Sequence, residues 1–337
     1  MNSWKLVRPR ELIKEELPVP EQEEGKLRVR VTKLLLSRVD AEIYRGNVTA
    51  KLPLIPGRFA VGQISVQNDN TLFPKNTRVL FHTYRETPNL GVITKDFTEE
   101  DVSVCGMTTN GFMREFINVS PHDMTPLPDS ISDVDALLVH YISIAKTAID
   151  KLNAKKGDRV AVIGADFLGI LISQLLIYQQ ISPILIDSHP ERLFFAKKCG
   201  VYYTMTADSS VIDEVASVTG GRLADKAVYV KTAGEDPVLP AMLLARGGTL
   251  VGCVSDRSGF SADLGYAIRK QVNFGFVSDP STDGTLEASI NLIVNNAINL
   301  EPLKSTMKTI ANPSDFFDNE QEDFSIDTFC IHIFNLF

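Results

Sequence analysis

Cysteine is scarce in this chain of 337 residues, with only Cys105, Cys199, Cys253 and Cys330 present and no two of them close in sequence. That spacing excludes a Cys-x-x-Cys redox pair or a thiolate metal knuckle, and it leaves the four as buried or inert free thiols. Long hydrophobic runs are missing too, and none approaches the roughly 20 residues needed to cross a bilayer. The opening segment, MNSWKLVRPRELIKEE, is charged and lacks the apolar centre of an export signal. The cytoplasm is therefore the expected location. Positive charge is in deficit, because 34 Lys and Arg face 42 Asp and Glu for a net charge of −8. This excludes an electrostatic reason for DNA, RNA or an anionic membrane as partner. There is no internal repeat and no low-complexity linker.

What is present suits a globular protein. Hydrophobic residues make up 44% and charged residues 23% of the chain, which argues against disorder. The length exceeds one ordinary core, so two domains are expected. From residue 1 to about 145, short β-like runs such as KLRVRVTKLLLS, VGQISVQ, TRVLFHTY and FMREFINVS alternate with Pro, Gly, Asn and Asp, as in a small sheet-rich domain. From 146 to 284 the rhythm changes. RVAVIG, SPILIDS, KAVYVKTAG and GGTLVGCVS read as buried strands, while FLGILISQLLIYQQ and ERLFFAKKCG read as helices, the second ending on a glycine cap. Continuous apolar strands alternating with helices predict an α/β, Rossmann-type, doubly wound parallel sheet. Residues 285–337 open with a helix, TLEASINLIVNNA. They close with TFCIHIFNLF, an apolar tail expected to return to the first block and make that domain discontinuous.

The segment IGADFLG carries the first candidate site. Gly164 follows a strand and Gly169 falls in the first turn of a helix, the context of a dinucleotide-binding glycine turn, with Phe167 and Leu168 between them. The next strand ends at Asp187, about twenty residues on, where a carboxylate can accept from ribose hydroxyls. Asp187 is followed by Ser188 with no arginine immediately after it, which favours NAD(H) over NADP(H). Asp166 stands where the middle glycine of the turn belongs. Aspartate is a good helix N-cap and takes up the N–H groups that a pyrophosphate uses. One such charge ~4–6 Å from another costs about 1–4 kcal/mol, or about one to three orders of magnitude in affinity. A weakened cofactor turn is the expectation.

Across nearly its whole length the chain resembles the medium-chain dehydrogenase/reductase superfamily, and within it the zinc alcohol and polyol dehydrogenases. The resemblance rests on LLLSRVDAEIYRGN, LPLIPGRFAVGQI, NGFMREFINVS, DALLVHYISIAKTAI, RVAVIGADFLG, ILIDSHPERLFFAKKCG and ARGGTLVGCV, in the family's order. It implies a Rossmann dinucleotide-binding domain over 146–284 and a discontinuous GroES-like domain over 1–145 and 285–337. It also implies a nicotinamide cofactor and a small-molecule substrate. The family's zinc ligands do not carry over. The cysteine position aligns with Ser37, the Gly-His-Glu segment reads Gly57, Arg58 and Phe59, and the third ligand position aligns with His140. A hydroxyl, a guanidinium and one imidazole cannot hold zinc. The four-cysteine lobe is absent, since the span 82–111 holds only Cys105, and the family's proton-relay hydroxyl falls at Val39. No metal is expected.

Two functions follow. In the first, the chain is a zinc-independent oxidoreductase that moves a hydride between NAD(H) and a small carbonyl or alcohol, anionic ones included. Arg58 then supplies the missing positive charge or clamps an anionic substrate, His140 is a general acid, and Ser37, Asp40 and Tyr44 line the substrate site. In the second, the chain is a catalytically silent relative that senses nucleotide or serves assembly. Arg58 then pairs with Asp40 to fill the vacated metal cavity, His140 is a satisfied buried histidine and Tyr44 is packing. Lys231, after a nucleotide-domain strand, is placed toward the cofactor. His122, His189 and His332 have no partner at ligand spacing, and FFDNEQEDF (316–324) reads as a solvated loop. The resemblance implies a homodimer or homotetramer, paired through the edge strand near QVNFGFVSDPS.

Overall fold

The computed structural model describes residues 1–86, 102–230, 239–253, 264–277, 285–318 and 331–336. The first stretch holds β1 (Asn2–Arg8), β2 (Glu11–Glu16), β3 (Leu27–Leu36), α1 (Arg38–Arg45), β4 (Phe59–Ile64), β5 (Arg78–Phe81) and β6 (Tyr84–Glu86). It continues with β7 (Val102–Val104), β8 (Phe116–Val119), β9 (Met124–Pro126) and the long helix α2 (Asp133–Leu152). Strands and helices then alternate: β10 (Val160–Ile163), α3 (Phe167–Tyr178), β11 (Pro183–Asp187), α4 (Pro190–Lys198), β12 (Tyr203–Thr206), α5 (Val211–Val218) and β13 (Ala224–Val230). After these come α6 (Leu239–Met242), β14 (Leu244–Cys253), α7 (Leu264–Lys270), β15 (Asn273–Val277), α8 (Thr285–Val294) and α9 (Glu301–Lys304). The chain closes with β16 (Lys308–Ile310), α10 (Ser314–Phe317) and β17 (His332–Asn335).

Two compact units result. One comprises 1–138 with 307–318 and 331–336, and the other comprises 139–306. These limits differ from the expected 145/146 and 284/285. The cut at the first lies inside α2. At the second, α8 and α9 belong with the nucleotide-type sheet, because Gln174 on α3 donates to Asn299 O at 3.1 Å and accepts from Asn299 N at 2.9 Å.

The first unit is built on a sheet in the order β16-β17-β3-β4-β5-β9, with β8 also paired to β3. The ten residues of β3 span it, and their last three, Leu34, Leu35 and Leu36, are fully buried. The apolar tail returns as expected: β17 runs antiparallel to β3 with Phe334 opposite Leu34, and parallel to β16. Phe316 and Phe317 depart from the expected solvated loop, whereas Asp318 is exposed. Phe316 and Phe317 are buried at the end of α10, and the rest of that acidic run lies outside the described residues.

The second unit is a six-stranded sheet in the order β12-β11-β10-β13-β14-β15, every pair parallel. This is the doubly wound arrangement, whose order reverses between β10 and β13, and in folds of this kind the carboxyl end of the strand at that reversal is where ligands bind. The strands read as apolar runs because both faces are covered, and Val160, Ala161, Val162 and Ile163 are all fully buried. β15 forms one edge and exposes Phe274 and Phe276, stacked 6.4 Å apart.

Candidate functional site

Two clusters gather most of the singled-out residues, one in each unit. In the first unit, α1 begins at Ser37, an N-cap in extended geometry, and ends at Gly46, whose φ of 81° supplies the left-handed cap. Asp40, three residues into the helix, turns its carboxylate back onto the cap. Its Oδ2 accepts from Ser37 N at 3.0 Å and from Ser37 Oγ at 2.7 Å. Arg58 comes from the turn before β4. Its Nη2 donates to Ser37 Oγ at 2.8 Å, and its Nε stands 3.4 Å from Asp40 Oδ1. The guanidinium lies 4.9 Å over the Phe59 ring, and Thr83 Oγ1 donates to Arg58 O. Ser37, Asp40 and Arg58 are 1%, 3% and 4% exposed.

This is a buried ion pair with a bridging hydroxyl, and its chemistry follows from that. Removing either charge strands the other in a low-dielectric interior. A guanidinium already engaged by a carboxylate is a poor oxyanion clamp. Nor do these residues fit a zinc ion, since one carboxylate beside a hydroxyl and a permanent cation falls short of three donors. Among the described residues, no group of three or more His, Cys, Asp or Glu could hold a metal ion.

The other first-unit candidate is Tyr44, on the same helix as Asp40. Tyr44 is buried, packs its ring 4.9 Å from Phe317, and donates its hydroxyl to Asp318 Oδ1, with Arg10 O 3.2 Å away. It fastens α10 to α1, as its packing role requires. His140 sits on α2 in the second unit, 1% exposed, with Ser143 Oγ donating to its carbonyl. Lys231 lies outside the described residues.

The second cluster is the turn after β10. Gly164 has φ of 104°, open to glycine and strained for other residues. A Cβ on Gly169 would stand 1.8 Å from Gly164 O, so only glycine lets α3 close against the strand there. Asp166, in contrast, has φ −74° and ψ −175°, ordinary extended backbone. The chain path does not need glycine at this point. Asp166 is the N-cap of α3, its Oδ1 accepting from Gly169 N at 2.9 Å. Phe167 and Leu168 bury their side chains, leaving only backbone to a ligand.

Asp187 ends β11 and is fully buried. Its Oδ2 accepts from Ala165 N at 2.7 Å, and its Oδ1 accepts from His189 N at 2.8 Å and meets His189 Nδ1 at 3.0 Å. Arg192 Nη1 lies 3.5 Å from Oδ2, while Ser188 Oγ meets only the His189 ring at 3.1 Å. Sequence reasoning missed Arg192, having sought an arginine directly after Asp187. The signal was there, because a residue in the first turn of α4 folds back over the strand end that precedes the helix. Burial pushes the Asp166 carboxyl up to about 6, against the pull of Gly169 N–H and Arg192 and helped by Asp187. Cys253, at the end of β14, is pushed up to about 12 by burial and by the Asp166 charge.

With this geometry in view, comparison with known proteins is informative. Residues 23–129 match the family model of the alcohol dehydrogenase GroES-like domain. An uncharacterized zinc-type alcohol dehydrogenase-like protein of Haemophilus influenzae is 25% identical over 68% of this chain and 69% of its own length. The D-xylulose reductase of Morganella morganii is 29% identical over 58% of each chain. Among solved structures, the alcohol dehydrogenase RspB of E. coli CFT073, complexed with NADH, superposes with a TM-score of 0.83 at 18% identity over 99% of both chains. The 2R,3R-butanediol dehydrogenase of Bacillus subtilis gives 0.83 at 17% identity, also over 99% of both. Residues 23–129 thus carry an alcohol dehydrogenase GroES-like domain, and a GroES-like first unit with a doubly wound second unit gives the chain the fold of these dehydrogenases.

Two stability measurements test the clusters. Arg58→Met should lose about 3–5 kcal/mol in guanidinium unfolding, because Asp40 is left buried and uncompensated. Adding Asp40→Asn should restore most of that loss, and a single variant within 1 kcal/mol of the parent would contradict the pairing. For Asp166, a folded-state value near 6 against 3.8 unfolded means the protonated form favours folding and the advantage is lost as pH rises through 6. Asp166→Asn keeps the cap without the charge, so it should stabilise the protein by up to about 3 kcal/mol at pH 8. At pH 4 it should do little.

Proposed function

We propose that the protein is a zinc-independent oxidoreductase that transfers a hydride between a nicotinamide dinucleotide and a small carbonyl or alcohol. The observation that carries this reading is the glycine turn between Gly164 and Gly169, which opens at the carboxyl end of β10 where the strand order reverses. The names of the relatives, dehydrogenases and reductases of alcohols and polyols, support the substrate class. When bound, the nicotinamide supplies the hydride chemistry, and the chain binds, orients and neutralises charge. The pyrophosphate would seat on the backbone N–H groups at the start of α3, where Asp166 already takes Gly169 N–H and draws on Leu168 N–H. Ribose hydroxyls reach Asp187 by competing with Arg192 for Oδ2, the less engaged oxygen. The acidic strand end supports NAD(H) over NADP(H), although Arg192 offers a counter-charge to a 2′-phosphate.

The pairing of Arg58 with Asp40 and Ser37 supports a filling role over substrate binding. An anionic substrate consequently loses its main attraction, and His140 becomes the leading proton donor. The same pairing, together with Asp166, favours a second reading in which the chain binds nucleotide without turnover. The buried free thiols Cys105, Cys199 and Cys253 support a reducing compartment such as the cytoplasm. No helix among the described residues is long and apolar enough to cross a membrane. The exposed Phe274 and Phe276 on the β15 edge support a homodimer or homotetramer.

NADH fluorescence on mixing tests the proposal. Binding followed by oxidation of NADH with some member of a carbonyl panel is expected, with His140→Ala slowing turnover at least tenfold while leaving the nucleotide Kd unchanged. Binding without turnover on any carbonyl would support the second reading, and no binding would overturn both.

A further inference from the structure

The turn after β10 gathers a charge arrangement that the glycine pattern alone does not explain. Asp166 caps α3 through Gly169 N–H, with Leu168 N–H close by. From β11, Asp187 adds a second negative charge. From α4, Arg192 adds the positive charge that reaches both carboxylates. From β14, the Cys253 thiol is pushed up to about 12 by its burial and by the Asp166 charge. His189 is a further titratable side chain among the described residues here, and it contacts Asp187. One arginine against two carboxylates leaves one negative charge in excess, at the helix start where a dinucleotide would set two more.

We propose that Asp166 makes nucleotide binding proton-coupled: its carboxylate takes up one proton as the pyrophosphate of a dinucleotide seats at the start of α3. This rests on the nucleotide reading above and names how that site is regulated. The proton comes from solvent and forms an O–H bond on one carboxyl oxygen, and no other bond is made or broken. It has two effects. It removes the repulsion between Asp166 and the pyrophosphate, which keeps its own charges over this range. It also turns an oxygen that could only accept a hydrogen bond into a donor, while the other oxygen still accepts from Gly169 N–H. Asp166 is only partly buried, yet the desolvation it does suffer favours the neutral carboxyl and brings this step within reach of neutral pH. Affinity therefore rises on acidification and falls on the alkaline side, the opposite of a site in which a carboxylate binds a cation.

The test is NAD⁺ binding by titration calorimetry between pH 6 and 8.5, in buffers of different ionisation enthalpy. It compares the parent, Asp166→Asn, and Asp166→Ser as a second uncharged cap in case the first folds poorly. For the parent, Kd should rise by about tenfold per pH unit above 6 until the ionised form's own weak binding takes over. Binding should also take up a large fraction of a proton at pH 7. Both variants should bind more tightly than the parent at pH 8, with Kd changing by less than about twofold across the range and no proton uptake. A slope that persists in the variants would assign the proton to His189 or another group and overturn the proposal. Binding by the parent with neither slope nor uptake would do the same, in each case leaving the nucleotide reading intact. Failure of all three proteins to bind NAD⁺ at any pH would instead overturn that reading, and this one with it.

Discussion

The buried pair of Arg58 and Asp40, bridged by Ser37, is the constraint around which the first unit's site is organised. It links the start of α1 to the turn before β4 in a setting where neither charge can be left alone. Each member answers a need of another. Asp40 satisfies the cap of its own helix, Ser37 lends its hydroxyl to Asp40 while accepting from Arg58, and the Phe59 ring lies under the guanidinium. Ser37 and Arg58 are the positions where the resemblance to the zinc dehydrogenases leads one to expect metal ligands, and here they share a hydrogen bond beside the Asp40 carboxylate. A side-chain cation has a fixed charge and no open coordination position, so it can balance a carboxylate but cannot polarise a substrate oxygen as a metal does.

The turn after β10 follows the same logic with the sign reversed. There the helix N-terminus, which in a dinucleotide fold awaits a phosphate, receives a carboxylate from Asp166. In both units a polar need is met from within the chain: the Arg58 charge by Asp40, and the start of α3 by Asp166. The two arrangements differ in reversibility. A guanidinium stays charged at any pH at which the protein is folded, so the first is permanent. A carboxyl pushed up to about 6 can be neutralised by one proton, so the second can yield to a ligand. The separate departures from the family pattern have this self-satisfaction in common.

Much of the architecture was legible from residues alone. The apolar runs RVAVIG and SPILIDS could only be strands covered on both faces, and they are β10 and β11. Asp166 announced itself as a cap by its place just before a helical run. The Asp40 contact with Ser37 was equally local, being three residues apart. What could not be read was long-range pairing. Nothing local ties Tyr44 to Asp318, and the acidic run that supplies Asp318 looked like solvent-exposed chain. Arg192 was missed because its reach depends on how α4 folds back over the end of β11. The complete burial of Asp187 likewise follows from Arg192 and His189 closing over it. The placement of α8 and α9 turned on Gln174, whose amide bonds the chain at Asn299 from a distant helix.

If a side-chain cation has taken the metal's place, the chain should hold no zinc there. Elemental analysis of protein purified without chelator, and supplied with zinc during expression, measures this most directly. The account predicts zinc well below one ion per chain, unchanged by Asp40→Asn. One zinc per chain, lost on replacing Asp40 or His140, would contradict it.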